Sequence, residues 1–256
     1  MREINSYKSY SKLASSENDP DKRSGRNIQK NSKHLNKLIF NDSFQKLTVK
    51  RNQSILSIGI GCGELSRLWL EKSVALNLDM TFVDFPLVLN RIKEDNNKNI
   101  LKKVDFIEGI FPNQTAVELK NRLFDRIEAY SVIHYSDNPY EFINFATSLL
   151  KPGGKLLIGD IPNLSKKGRF LSSKFGNNFD LKFTNNISVN RMEYKDHQTF
   201  VKNALQNGSP ELTDSFVLKV VKALRNKGFN VFILNQHSKL PFFYTREDIL
   251  IEAPLE

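Results

Sequence analysis

The sequence predicts an α/β fold: a largely parallel sheet with helices on both faces, closed by an antiparallel C-terminal hairpin. Three observations predict it. Beyond Arg51, short β-rich runs alternate with helical stretches, the pattern of crossover connections. The first of these runs leads straight into a glycine-rich turn that opens a helix, Ile55-Leu56-Ser57-Ile58-Gly59-Ile60-Gly61-Cys62-Gly63-Glu64. The last two strands, expected at 229–234 and 242–251, are separated by only about seven residues, too few for a parallel crossover, so they pair antiparallel.

The elements follow in order. Residues 1–24 carry Ser, Asn and charge with few apolar side chains, and Asp19-Pro20-Asp21 reads as a turn, so this stretch is expected to be an arm that is mobile without ligand. From Asn27 to Leu47, Ile28, Leu35, Leu38, Ile39 and Phe44 recur near helical spacing, predicting one or two short helices that pack against a later element. Together residues 1–50 form a basic, helical lid ahead of a core domain spanning 51–256. Strands are predicted at 54–58, 79–84, 104–108, 126–133 and 155–160, and helices at 64–76, 86–97, 114–121 and 139–150. The last of these helices has Asp137 or Asn138 as cap, Pro139 in its first turn and Pro152-Gly153-Gly154 as its stop. Residues 162–208 are too long and polar for a simple connection and read as a functional insertion. A strongly patterned helix at 213–226 buries Phe216, Val217, Val220, Val221 and Leu224 and ends at Gly228.

Composition narrows the chemistry. With 39% hydrophobic and 26% charged residues, and no uncharged apolar run near the ~20 residues that cross a bilayer, no membrane span is expected. The polar stretch from Met1 to Ser16 lacks the apolar core of a secretory signal, which makes the cytoplasm the expected location. Cys62 is the only cysteine, excluding intramolecular disulfides and two-thiol mechanisms. His34, His134, His197 and His237 show no HxxxH spacing, so metal-free chemistry is expected. Of the net charge of +10, most sits in residues 1–53, with 12 Lys+Arg against 5 Asp+Glu. Such a segment attracts anions, whether nucleic acid, an anionic glycan or a phosphorylated substrate.

The glycine turn implies a nucleotide-like cofactor, because Gly59, Gly61 and Gly63 let a ligand approach where a Cβ would collide. A dinucleotide fingerprint would need a glycine at 64, where Glu64 would oppose a pyrophosphate, and no Gly-Lys-Ser/Thr follows to make a Walker loop. Twenty-one residues after Gly63, the second strand ends in Val83-Asp84-Phe85, placing an acid where it can accept both hydroxyls of a ribose.

At these residues the chain resembles the class I S-adenosylmethionine-dependent methyltransferases. Asp84 matches the acid after their second strand, and Glu108-Gly109-Ile110-Phe111-Pro112 matches the segment after the third strand that contacts adenine. Phe124-Asp125-Arg126-Ile127-Glu128-Ala129-Tyr130-Ser131-Val132-Ile133-His134 and Leu149-Leu150-Lys151-Pro152-Gly153-Gly154-Lys155-Leu156 match the fourth-strand motif and the turn before the fifth strand. The resemblance implies a Rossmann-like, seven-stranded, mostly parallel sheet and S-adenosyl-L-methionine as cofactor, leaving as S-adenosyl-L-homocysteine. It further implies cofactor contacts at Gly59, Gly61, Gly63, Asp84, Phe85, Gly109, Ile110, Phe111 and Ser131. Two positions depart from the pattern: the family usually has an acid where Ser57 stands, and Asp or Glu where Ile110 stands.

Methyl transfer requires alignment and exclusion of water, and a base when the acceptor is a hydroxyl. His134, just after the fourth strand, is the expected base, and Asp160, at the end of the fifth, is a second base or a group that orients a sugar hydroxyl. Tyr7, Tyr10 and Tyr135 are candidates to wall the site, while His197 and His237 read as structural. Asp137-Asn138-Pro139-Tyr140 only faintly resembles the motif of base-amino methyltransferases, and helix capping explains it. A weaker resemblance, carried by Gly159-Asp160-Ile161-Pro162-Asn163 with Ser165-Lys166-Lys167 and by the ending from Leu240 to Ile251, points to methyltransferases of bacterial surface-polysaccharide pathways. It implies O-methylation of a sugar or a nucleotide- or phosphate-linked small molecule, with Lys166, Lys167 and Arg169 or the basic arm meeting its anionic part. The rivals are an RNA methyltransferase, which lacks an accompanying RNA-recognition signature, and a non-catalytic partner subunit.

Overall fold

A computed structural model describes residues 2–19, 23, 32–176, 178 and 196–256. Seven strands form one sheet: β1 (Ser54–Ile58), β2 (Asp79–Asp84), β3 (Val104–Glu108), β4 (Phe124–Tyr130), β5 (Leu150–Pro162), β6 (Asn230–Asn235) and β7 (Arg246–Glu252). Their spatial order is β3-β2-β1-β4-β5-β7-β6, with β7 antiparallel to both neighbours and every other pair parallel. The order reverses at β1 and β4, and an open sheet of this kind leaves its ligand crevice there, at the strands' carboxyl ends.

The described helices are α1 (Arg2–Ser16), α2 (Ser32–Leu47), α3 (Glu64–Leu76), α4 (Pro86–Asp95), α5 (Ala116–Leu119), α6 (Pro139–Ser148), α7 (Leu164–Ser172), α8 (His197–Gln206) and α9 (Asp214–Arg225). They cover both faces. One core gathers Leu56, Ile127, Phe142, Leu156, Phe216 and Ile251, and the other gathers Phe40, Ile55, Trp69, Phe82, Leu89 and Leu157. Adjacent strand residues Ile55 and Leu56, or Leu156 and Leu157, serve opposite cores, which is why these strands read as continuous apolar runs. No described helix is long and apolar enough to cross a membrane.

Several expectations are corrected. Residues 2–16, expected as a mobile arm, form a helix docked against α4 and the loop after β4. Its contact face carries the small residues Ser6, Ser11 and Ala14, with Tyr7 edge-on to Phe85, so an apolar stripe is not needed for close approach. Of the 27–47 segment, residues 32–47 form α2, which packs on α3 and β5, while Ile28 lies outside the described residues. Strand β4 ends at Tyr130, not 133, because Ser131 takes φ 60° and the chain tightens into a 3₁₀ turn at Ile133–Tyr135. Pro152-Gly153-Gly154 does not separate helix from strand as a loop: β5 already begins at Leu150, opposite Phe124, and Gly153 at φ 68° absorbs the irregularity. In the hairpin, β7 starts at Arg246 because residues 242–246 close in tight turns. Within 162–208, α7 and α8 pack closely at Gly168, whose added Cβ would lie 3.0 Å from the His197 carbonyl; residues 177 and 179–195 lie outside the described set.

Candidate functional site

A cavity of about 340 Å³ opens at the carboxyl ends of β1, β2, β4 and β5. Every residue the sequence singled out as a cofactor contact or catalytic candidate lines it: Gly59, Gly61, Gly63, Asp84, Phe85, Gly109, Ile110, Phe111, Ser131, His134 and Asp160. Further walls come from central residues such as Ile60, Leu65, Tyr135 and Phe142, and from both flanks, among them Glu3, Tyr10 and Ile39 from the N-terminal side and Gln236, Phe242 and Arg246 from the C-terminal side.

At the glycine turn, Gly59 and Gly61 adopt φ 67° and 69°, conformations that a side chain disfavours. Their surroundings differ. A Cβ on Gly59 would lie 2.6 Å from Val132 Cγ2, so this glycine permits close packing on the loop after β4. A Cβ on Gly61 would meet nothing within 4 Å, so this peptide faces open space. The Gly61 N–H donates to Asp84 Oδ2 at 2.8 Å, and the Phe85 N–H donates to Asp84 Oδ1 at 2.7 Å. Asp84 is therefore tied to the glycine turn, while α4 begins after Phe85 with no side-chain cap. Burial pushes its carboxyl up from 3.8 to about 6, against the lowering effect of the two N–H donors. Cys62, in the same turn, is pushed up to about 11 by burial, which leaves it a thiol and no nucleophile at neutral pH.

The two departures from the expected motif have local consequences. Ser57 is paired in register with Glu128 on the neighbouring strand, and its hydroxyl stands 3.4 Å from Glu128 Oε2. Both are buried, so a carboxylate lies beneath the turn although β1 carries none there. The Ile110 N–H donates to Gln114 Oε1 at 2.8 Å, so that N–H is already engaged.

Across the cavity, Asp160 sits at φ 61° where β5 and β7 slip in register, between Ile158 and Ile161. Ser131 Oγ donates to its Oδ2, as does Arg246 Nη1 at 2.9 Å, and Gln236 Nε2 donates to its Oδ1 at 2.8 Å. Its backbone N–H donates to Asp248 Oδ1 at 2.8 Å, and Asp248 Oδ2 takes a bond from Lys46 Nζ of α2 at 2.7 Å. Burial raises the Asp248 carboxyl, and the Lys46 ammonium opposes that rise. The unusual backbone of Asp160 is thereby fixed from behind, and its carboxylate is surrounded by donors.

The N-terminal helix contributes Glu3, Ser6 and Tyr10 to the cavity wall. Glu3 Oε1 accepts from the Asp137 N–H at 3.1 Å, and the hydroxyls of Tyr10 and Tyr135 lie 3.1 Å apart. Arg23, only 2% exposed, donates to the carbonyls of Glu17, Asn18 and Cys62 and to the Asp95 carboxylate, pinning the segment after α1 to the glycine turn. His134, in the 3₁₀ turn after β4, is half-buried with its ring centroid 4.1 Å from that of Tyr135.

Other candidates fall outside. Tyr7 packs on Phe85 without lining the cavity, and neither His197 nor His237 lines it. Lys166 donates to the Arg246 carbonyl, Arg169 pairs with Asp214, and Lys167 lies over the Phe200 ring; none of the three reaches the cavity. Asn138 caps α6, accepting from the Glu141 N–H at 3.2 Å, and this accounts for the Asp137–Tyr140 motif. Sequence reasoning missed Gln236 and Arg246. Both belong to the terminal hairpin, and only the antiparallel register of β7 on β5 brings them to Asp160.

Comparison with known proteins bears on the fold and the domain. Residues 56–158 match a family model described as a methyltransferase domain. Over 128 residues the chain is 34% identical to a malonyl-[acyl-carrier protein] O-methyltransferase of Haemophilus ducreyi, covering 48% of this chain and 46% of that protein. It is 27% identical over 131 residues to a mitochondrial ubiquinone biosynthesis O-methyltransferase of Dictyostelium discoideum, covering 48% and 40%. The chain thus spans less than half the length of these curated relatives. Among solved structures, the plantazolicin methyltransferase BpumL, crystallised with a pentazolic desmethylPZN analogue and SAH, superposes over 98% of both chains with a TM-score of 0.57 at 18% identity.

Proposed function

We propose that this chain, which carries the class I methyltransferase fold and a methyltransferase domain over residues 56–158, transfers the methyl group of S-adenosylmethionine to an oxygen of a small-molecule acceptor. The observation that carries the reading is the Asp84 carboxylate, held by the Gly61 and Phe85 N–H groups at the edge of a turn whose Gly61 faces open space. Each Asp84 oxygen keeps a lone pair for a ribose hydroxyl, and a cofactor can approach the Gly61 peptide directly. The residues present therefore fit an adenosine-bearing cofactor.

A bound S-adenosylmethionine would supply an electrophilic methyl group with S-adenosylhomocysteine as the leaving group, and an acceptor hydroxyl would give up its proton to a base. His134 is assigned that base, because it lines the cavity at the end of β4. Asp160 is assigned a positioning role, since Ser131, Gln236 and Arg246 already engage its oxygens. Helix α1, with Glu3 and Tyr10 on the cavity wall, acts as the lid that excludes water. The relatives named as O-methyltransferases support oxygen as the acceptor atom. We assign the acceptor to anionic small molecules, a sugar or a nucleotide- or phosphate-linked precursor of surface polysaccharide, in keeping with Arg246 at the cavity.

The test is calorimetric titration with S-adenosylmethionine and S-adenosylhomocysteine at two salt concentrations, followed by transfer of labelled methyl to a panel of nucleotide sugars and RNA. Micromolar binding of both and label on a sugar are expected. Absence of binding to either refutes the reading, and transfer to RNA that falls steeply with salt replaces the acceptor class.

A further inference from the structure

Among the described residues two arginines reach the cavity, and their hydrogen-bonding states differ. Arg23 is only 2% exposed, and its Nε, Nη1 and Nη2 all donate to protein oxygens. Arg246 is held at one end only. Its Nη1 donates to the Asp160 carbonyl at 3.1 Å and to Asp160 Oδ2 at 2.9 Å, while Nε and Nη2 meet no acceptor among the described residues. The Phe242 ring lies against the guanidinium, with its centroid 4.9 Å from Cζ. One edge of a planar cation is thus clamped and one face shielded, leaving the Nε–Nη2 edge as a pair of parallel donors whose spacing matches two oxygens of one carboxylate or phosphate.

The surroundings strengthen such a contact. Leu240, Pro241 and Phe242 line the same side of the cavity, so the bond would form in a partly dehydrated site where charge-assisted donors act more strongly. Asp160 neutralises the guanidinium without covering its free edge. Because Gln236 and Ser131 also hold Asp160, the fork is oriented before any ligand arrives. The position suits the acceptor: Arg246 begins β7 beside the end of β5, across the cavity from Asp84 and the glycine turn.

We propose that the Nε–Nη2 edge of Arg246 is the anchor for an oxyanion, carboxylate or phosphate, carried by the acceptor, and that it sets which hydroxyl is presented to His134. This rests on the methyltransferase reading for the identity of the acceptor, but the anion site stands on its own geometry.

The experiment titrates the SAH-saturated protein and the cofactor-free protein with glucose 1-phosphate, glucuronate and uncharged methyl glucoside. An oxyanion-bearing sugar is expected to bind at least about tenfold more tightly than methyl glucoside. Arg246→Met removes that preference, and Arg246→Lys, which keeps the charge but not the fork, retains only part of it. SAH affinity is expected to stay within about twofold in both variants, which also reports that they are folded. Preference for glucose 1-phosphate or for glucuronate identifies the anion as phosphate or carboxylate. Equal binding of charged and uncharged sugars, or an anion preference that survives in Arg246→Met, overturns the proposal. Anion binding at Arg246 without any SAH binding overturns the methyltransferase reading instead and leaves the site standing.

Discussion

Asp84 is required by the proposed chemistry and disfavoured by the fold, and the conflict is measurable. Its carboxyl is raised from 3.8 to about 6 by burial, so the folded chain keeps this proton to a higher pH than the unfolded chain does. Between about pH 4 and pH 6 the folded state binds more protons here, and this group's contribution to stability therefore falls as pH rises through that window. Above it, the ionised Asp84 costs roughly 3 kcal/mol relative to its protonated form. Asp84→Asn cannot ionise, but it retains an acceptor for only one of the two N–H donors, at a loss of about 1 kcal/mol. The variant is expected to be less stable than the natural chain by about 1 kcal/mol at pH 4 and more stable by about 2 kcal/mol at pH 7.5, a change in the difference of about 3 kcal/mol. Urea unfolding followed by the fluorescence of Trp69, the single and fully buried tryptophan, reads both values. A difference that is the same at both pH values, within about 0.5 kcal/mol, refutes the argument that burial and charge oppose each other at this residue.

The same carboxylate predicts that SAH affinity weakens below about pH 6, approaching a tenfold loss per pH unit, with Asp84→Asn weak throughout and flat; calorimetry at pH 5.5 and 7.5 decides it. Gly59→Ala and Gly61→Ala separate strain from space: each costs about 1 kcal/mol for its left-handed backbone, and only Gly59→Ala adds a further ~1–3 kcal/mol from its 2.6 Å overlap with Val132. Thermal unfolding should rank Gly59→Ala well below Gly61→Ala, whose defect is instead weakened SAH binding; equal melting points contradict this. His134→Ala should lower kcat by about 10²–10⁴ with SAH affinity nearly unchanged, and survival of turnover would remove it as the base. Lys46→Met strands the fully buried Asp248, with an expected cost of about 3–5 kcal/mol, partly recovered by adding Asp248→Asn; additive losses would show that the pair is not coupled.

The parallel core was legible because its signals are local. The alternation of apolar runs, the spacing of Gly59, Gly61 and Gly63 and the acid at Asp84 are each confined to a short stretch whose geometry follows from backbone conformation and burial. The positions that sequence reading misjudged depend on partners far along the chain. Helix α1 shows no apolar stripe because it docks through Ser6, Ser11 and Ala14, so its order comes from the surface it meets. The donors to Asp160 arise from Ser131, Gln236 and Arg246, and the last two reach it only because the terminal hairpin places β7 beside β5. Lys166 and Arg169 looked available as cations in sequence, yet the fold commits them to the Arg246 carbonyl and Asp214.

The tie from Lys46 through Asp248 to the backbone of Asp160 carries a consequence for modularity. A segment that precedes the first strand is fastened to β7, so the two flanks of the chain meet behind Asp160. Residues 56–158 hold the glycine turn and Asp84, but Tyr10, Ile39, Asp160, Gln236, Phe242 and Arg246 all lie outside that stretch. Exchanging one flank without the other would sever the tie between Lys46 and Asp248 and leave the backbone of Asp160 without its support. In such a chain the stretch before the first strand and the last strand pair act as one unit.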